Sequence, residues 1–245
     1  MPWLLLFVLL LAGCAKEKLT IGREDPEVEI QKCVKLSEKK RYTEAVECLE
    51  IFKSRFPHTR EGQEASLRIA DTYFVQKQYL LAAQSYETFV QLQPLHPKAD
   101  YALYRAGLSY FKEAPKAIDR DQEYLLKARE AMQKALRLAY QSPYQDLIIE
   151  ATAQINARLA ERIFYVGRFY YRTGEYLSAV PRFEELLLKY PQWEKMPKTL
   201  YYLVRCHLEL TQPEEAREAL QQMVEHFPQD NWTRKAQGVY VKVLD

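Results

Sequence analysis

The chain has 245 residues, a formal net charge of +2 and only seven glycines, against eighteen tyrosines. A nearly neutral chain does not carry the basic excess of nucleic-acid binders, so we expect no nucleic-acid partner. The scarcity of glycine disfavours sheets with many tight turns. These counts leave one or two globular domains of helical character as the starting expectation.

The first segment is apolar from Trp3 to Ala12 and becomes charged soon after Cys14. Ten apolar residues are too few for a membrane span, which needs about 20. The stretch LAGC resembles the lipobox of bacterial lipoproteins, which implies that residues 1–13 are a signal peptide and that Cys14 receives the lipid. The alternative is an ordinary signal peptide with a chance cysteine. Residues 14–25 then form a lipidated polar tether.

The folded part is expected to begin at Pro26, because Asp25-Pro26-Glu27 has the pattern of a helix start. An internal repeat follows, marked by four prolines that each stand twelve residues after an alanine. The prolines are Pro57, Pro94, Pro191 and Pro228, and the alanines are Ala45, Ala82, Ala179 and Ala216. A further twelve residues upstream lie mostly small residues: Cys33, Ala70, Gly167 and Val204.

This frame resembles the tetratricopeptide repeat, in which two antiparallel helices cross at small side chains. A further unit, with Gly107, Tyr110, Ala128 and Ala135, contains an insertion around EAPKAIDRDQEY. After Pro143 a helical period runs without a break through DLIIEATAQINARLAERIFYVGRFYYR. We therefore predict an all-α solenoid of ten helices in five pairs over residues 26–245, with an extended first helix in repeat four. The predicted repeats are approximately 26–60, 61–97, 98–143, 144–194 and 195–230.

Three cysteines remain besides Cys14. Cys33, Cys48 and Cys206 are interpreted as small buried hydrophobic residues in preference to a Cys33–Cys48 disulfide. The chain has no C-x-x-C pair and its four histidines are scattered, so we expect neither a metal site nor a cofactor. Motifs of serine hydrolases, phosphate loops and zinc proteases do not occur, which favours a protein that is not an enzyme.

Residues outside the repeat core indicate a binding surface. Helical spacing predicts that one stripe of each first helix faces a concave groove. The stripe of repeats two and three, expected to hold substrate peptides, comprises Leu67, Asp71, Phe74, Tyr101, Tyr104, Leu108 and Phe111. Its continuation in repeats four and five comprises Phe164, Arg168, Tyr171, Tyr201 and Arg205. The alternative is that these rings pack against the next repeat.

The lipobox, the five repeats, HPKADYALYRAGL, the inserted DRD and the long helix together resemble the BamD family. That resemblance implies a lipid-anchored scaffold on the periplasmic side of the outer membrane. Its implied partners are the periplasmic domain of BamA, bound by later repeats, and unfolded outer-membrane β-barrel precursors, bound by earlier ones. Other Bam lipoproteins are further partners that the resemblance allows.

The family tends to place an arginine for BamA contact in the loop after repeat four, where this chain has Pro197. Lys195 and Lys198 flank it and, with Tyr201 and Arg205, are the candidate BamA contacts. Two other functions are alternatives for a chain with this repeat pattern. One is a pilotin or cell-envelope coordinator, which is also a lipoprotein with such repeats. The other is the helical part of a lytic transglycosylase, for which the sequence after the repeats is expected to be too short to hold a catalytic domain.

Overall fold

The computed structural model describes residues 25–244, and the predictions for residues 1–24, including Cys14, lie outside that range. The described residues form eleven α-helices and no strand, which confirms the all-α solenoid class. The helices are α1 (Pro26–Glu38), α2 (Tyr42–Arg55), α3 (Arg60–Val75), α4 (Tyr79–Leu92), α5 (Ala99–Glu113), α6 (Glu123–Leu138), α7 (Gln145–Arg172), α8 (Tyr176–Lys189), α9 (Met196–Glu209), α10 (Pro213–His226) and α11 (Asn231–Leu244).

The described residues divide between Thr72 and Tyr73 into two compact units, called the first and the second unit. In the first unit α1 begins as predicted, because Pro26 occupies its first turn and the Asp25 carboxylate accepts a hydrogen bond from the backbone N–H of Glu27 at 3.0 Å. α1 packs against α2. The residues buried between them include Cys33, Ala45 and Phe52, each 0% exposed.

The cysteine prediction is corrected here. Cys33 and Cys48 form a disulfide between α1 and α2, with Cα atoms 5.4 Å apart, whereas only Cys206 is a free buried thiol among the described residues. Cys33 occupies a position that the repeat frame reserves for small side chains, and Cys48 lies about one helical turn after the frame alanine Ala45. Cα atoms at that separation are within disulfide range, so burial and pairing occur together.

In the second unit each helix packs against the next one, from α4 to α10, and α11 packs on α9 and α10. The frame alanines Ala82, Ala179 and Ala216 are all 0% exposed, so the small residues do lie in the core. α7 has 28 residues, which confirms the predicted extended helix. The eleventh helix is a correction to the ten predicted.

The turns inside the repeats share one backbone conformation. Gly174, between α7 and α8, has a φ of 82°, in the left-handed region that glycine adopts readily. Lys40, Lys77 and Thr211 take positive φ values at the corresponding turns of other repeats. Glycine therefore stands at this turn in one repeat, and other residues adopt the same conformation elsewhere at some cost in strain.

Candidate functional site

The predicted groove residues fall into two sets. Leu67 and Asp71 lie in the first unit, where Leu67 is only 2% exposed and Asp71 is half-buried. Leu67 is a core residue. α3 buries Leu67, Ile69 and Ala70, which lie on different sides of the helix, so its buried face is wider than one stripe. The remaining residues of repeats two and three lie in the second unit. We call Phe74, Tyr101, Tyr104, Leu108 and Phe111 the aromatic stripe.

Every side chain of the aromatic stripe is half-buried. Tyr104, Leu108 and Phe111 pack with one side against the core of the second unit. Burial raises the pKa of Tyr104, so its hydroxyl stays protonated at neutral pH. Such side chains keep part of their surface for a ligand, while their packing holds them in fixed positions.

Two arginines that the sequence prediction missed lie against the stripe. The guanidinium of Arg105 lies 3.7 Å from the centroid of the Phe74 ring, and its Nε donates to the Tyr86 hydroxyl at 3.2 Å. The guanidinium of Arg158 lies 5.2 Å from the Phe111 ring and donates to the carbonyl oxygen of Pro115. Burial lowers the pKa of Arg158, although its ordinary value is so high that it remains charged. The stripe therefore combines rings with fixed positive charges.

Tyr144 also packs on the stripe, at the turn before α7. Its ring centroid lies 5.1 Å from that of Tyr101 and 6.2 Å from that of Tyr104. The hydroxyl of Ser142 holds this turn by donating to the Asp100 carboxylate at the start of α5. These contacts agree in part with the alternative that the rings pack against the next repeat.

The second predicted surface lies on α7 and α9, and α11, which was not predicted, extends it. We call Arg168, Lys195, Lys198, Arg205 and Lys235 the basic cluster. Phe164, which the sequence placed on the groove, is 2% exposed and lies in the core, since Phe183, Trp193 and Tyr202 surround its ring at 5.3 to 6.1 Å. Tyr171 is half-buried, and burial raises its pKa to about 12.

Aromatic rings border the basic cluster. Lys198 Nζ lies 5.1 Å from the Trp232 ring and 5.7 Å from the Phe164 ring, and Arg205 lies 5.8 Å from the Tyr171 ring. Tyr201 stacks obliquely on Trp232 at 5.1 Å. Lys195 is paired with Glu161 of α7. Pro197 is buried at the start of α9. The positive charge of this segment therefore comes from Lys195 and Lys198, which flank Pro197.

Trp232 and Lys235 belong to α11 and were not predicted. The pattern that could have revealed them is the recurrence of Trp232, Ala236, Val239 and Tyr240 at helical spacing after Asp230. Asp230 caps this helix by accepting a hydrogen bond from the backbone N–H of Trp232 at 2.7 Å.

A separate cleft of about 480 Å³ lies beside the first half of α7. Ile149, Ala153 and Ala157 line it from α7, and Tyr190 and Trp193 line it from the loop between α8 and α9. α7 is twice as long as α8, which has 14 residues, and the cleft lies along the additional length. The sequence analysis identified no binding surface here.

Residues 25–244 contain no group of three or more His, Cys, Asp or Glu side chains arranged to hold a metal ion. None of their helices is both long enough and apolar enough to cross a bilayer.

Residues 29–223 match the model of the YfiO family, which is described as outer membrane lipoprotein. Among curated relatives, the chain is 28% identical over 211 residues to a protein of Neisseria meningitidis serogroup B, covering 79% of this chain and 76% of the relative. It is 25% identical over 225 residues to one of Caulobacter vibrioides (90% and 73% covered) and 25% identical over 233 residues to one of Rickettsia prowazekii (94% and 91% covered). All three are named outer membrane protein assembly factor BamD.

Solved structures that resemble the chain are tetratricopeptide-repeat proteins at low identity. A thermophilic protein of this class from Thermus thermophilus is 18% identical with a TM-score of 0.35, covering 90% of this chain and 99% of that one. The TPR2AB domain of yeast Sti1 is 16% identical with a TM-score of 0.44, covering 90% and 88%. Superpositions this loose carry no argument about function.

Proposed function

Because the chain belongs to the YfiO family of outer membrane lipoproteins, we propose that it is an outer membrane protein assembly factor. It acts as a scaffold without catalytic chemistry, anchored through a lipid on Cys14 to the periplasmic side of the outer membrane. The observation that supports this best is the family match over residues 29–223 together with relatives named BamD that cover most of the chain.

The aromatic stripe is the proposed site for unfolded β-barrel precursors. Transmembrane strands alternate apolar and polar residues and carry aromatic girdles, so an unfolded precursor offers rings at regular intervals. The half-buried rings of Tyr101, Tyr104 and Phe111 give such side chains an apolar surface. Arg105 and Arg158 add fixed donors and charges beside it. Rigid aromatic and arginine side chains of this kind supply most of the affinity at protein interfaces.

The basic cluster is the proposed contact with the periplasmic domain of BamA. Lys195, Lys198, Tyr201 and Arg205 lie on or beside α9 and share the ring-bordered surface described above. Positive side chains beside exposed ring edges suit an acidic partner surface, because complementary charge raises the association rate and fixes the orientation. Other Bam lipoproteins are further proposed partners, for which no residue is assigned.

The experiment separates the two surfaces by variants of the full chain. Tyr104→Ala with Phe111→Ala should weaken crosslinking to unfolded barrel peptides about thirtyfold, the loss expected for a binding anchor of about 2 kcal/mol. Capture of BamA and helical content should remain unchanged. Tyr165→Ala with Phe169→Ala is the matched control, since it removes two exposed rings of α7 outside the stripe.

The converse variant is Lys195→Glu with Lys198→Glu, which should weaken BamA capture and leave peptide crosslinking intact. Its control is Lys127→Glu with Lys134→Glu, which breaks two exposed ion pairs, with Glu123 and Glu130, on α6, a helix that carries no member of the basic cluster. If both variants lost both activities while remaining folded, the assignment of separate surfaces would be wrong. If neither lost either activity, both surfaces would be structural only.

A further inference from the structure

Two cations of the basic cluster have no anionic partner among residues 25–244. The Nε atom of Arg168 is buried and has no hydrogen-bond partner in this part of the chain. Lys198 lies in contact range of two rings and, within residues 25–244, neither it nor Arg168 forms an ion pair. Both cations approach the same Phe164 ring, Arg168 at 5.8 Å and Lys198 at 5.7 Å. The two positive groups therefore border the same buried ring, in a partly dehydrated place.

A third cation approaches from α11. Lys235 Nζ lies 4.3 Å from the Trp232 ring, whose other cationic neighbour is Lys198 at 5.1 Å. Burial and the charges of Arg168, Lys195 and Lys235 lower the pKa of Lys198, and Glu161 is the carboxylate that opposes them. Glu161 is already engaged by Lys195. Like charges that no anion neutralises destabilise one another. This arrangement of cations therefore favours the binding of an anion.

We propose that Arg168, Lys198 and Lys235 form a carboxylate-binding site bordered by Tyr202 and Trp232. The planar guanidinium of arginine matches the two oxygens of a carboxylate, and an ammonium adds a second point of attraction. The rings provide an apolar wall for a side chain next to that carboxylate. The ligand is thus a polypeptide segment in which a carboxylate adjoins an apolar or aromatic side chain.

The aromatic rings beside the cations favour a polypeptide ligand over a phosphate group. A phosphate would satisfy the cations but would make no apolar contact with the partly exposed surfaces of Tyr202 and Trp232. A peptide carboxylate, whether on a side chain or at a chain end, brings such a neighbour with it. The site also depends on α11, which follows the last residue matched by the family model, Met223. The inference rests on the proposed partner surface and specifies the chemical group that this surface binds.

The test titrates the full chain with short acetylated peptides and follows tryptophan fluorescence, since Trp232 lies in the site. The first probe is the amidated peptide GSEFG, compared with GSQFG, in which the carboxylate becomes an amide. The second is GSQGF with a free carboxyl terminus, compared with its amide. Removing the charge should weaken binding at least about tenfold for the probe whose carboxylate fits. The pair that responds identifies a side-chain or a terminal carboxylate as the source.

Arg168→Gln with Lys198→Gln should reduce binding of the responding probe by about tenfold or more. Lys127→Gln with Lys134→Gln should not, because these exposed lysines pair with Glu123 and Glu130 on α6. Circular dichroism confirms that each variant is folded, and a Lys235→Gln variant tests the α11 contribution without touching a buried atom.

Equal affinity for the charged and uncharged peptides would overturn the proposal, as would unchanged binding by the Arg168→Gln, Lys198→Gln variant. Binding of inorganic phosphate with no response to any peptide would assign the site to phosphate groups instead. None of the probes derives from BamA or from a barrel protein. Failure here would therefore leave the capture experiments of the proposed function standing, and failure there would leave this site standing.

Discussion

Replacing two glycines of the repeat frame, one at a time, tests how the helices cross. A Cβ at Gly167 would lie 2.7 Å from Cε1 of Phe183, and a Cβ at Gly107 would lie 2.8 Å from Cε of Met132. The distances are nearly equal but the neighbours differ. Phe183 and Met132 are both 0% exposed, but the Phe183 ring is rigid and stacked on Tyr202 at 5.7 Å, whereas the atoms nearest Gly107 belong to the flexible, unbranched side chain of Met132.

The expected free energies follow from two opposing effects. Alanine in a helix interior is about 1 kcal/mol more favourable than glycine. Overpacking against a rigid neighbour costs about 1–3 kcal/mol, whereas a methionine end moves aside at small cost. Gly107→Ala should therefore stabilise the protein by up to about 1 kcal/mol. Gly167→Ala should destabilise it by about 1 kcal/mol, the difference between the two effects near the middle of their range.

Thermal unfolding followed by circular dichroism measures this difference. At about 2–4 °C per kcal/mol for a chain of this size, the midpoint of Gly107→Ala should exceed that of Gly167→Ala by roughly 4–8 °C. Adding Phe183→Leu to Gly167→Ala should recover part of the loss, because the two positions are in contact. Equal midpoints for the two single variants, or no coupling to Phe183, would refute the crossing geometry.

The cysteines give three further predictions. Cys14→Ala should move the chain from the membrane fraction to the soluble periplasmic fraction or leave it unprocessed, because acyl chains provide the anchor; a correctly cut chain that resists a high-salt wash would contradict this. Replacing Cys33 and Cys48 by serine should lower the free energy of unfolding by about 3 kcal/mol, the effect of opening a 15-residue loop, measured in denaturant with the unreduced chain as reference. Burial raises the pKa of Cys206 to about 12, so in a Cys14→Ala chain this thiol should react with a thiol reagent at pH 8 only after unfolding; rapid labelling of the folded chain would contradict its placement.

The repeat frame was predictable because it depends on local steric rules. Ala82, Ala179 and Ala216 are buried as expected, since a helix crossing with no space for a larger side chain restricts residue type directly. The long helix α7 was predictable for a similar reason, because its apolar period continues without a helix-breaking residue.

Other features depend on contacts that a local pattern does not encode. In the sequence, Cys33 and Cys48 match two small buried residues as well as they match a disulfide. Only the distance between the two helices distinguishes a disulfide from two free thiols. α11 carries no repeat signature, although it packs on α9 and α10. Phe164 shared its helical spacing with the groove residues but is surrounded by rings from α8 and α9 and from the loop between them.

The central claim is that this chain assists assembly of outer membrane β-barrel proteins. The most direct measurement is depletion of the chain in its own bacterium, followed by quantification of folded, heat-modifiable barrel proteins in the outer membrane. The account predicts that folded barrels decline on depletion, and that the wild-type chain restores them but the Tyr104→Ala, Phe111→Ala variant does not. Undiminished folded barrels in fully depleted cells would contradict it.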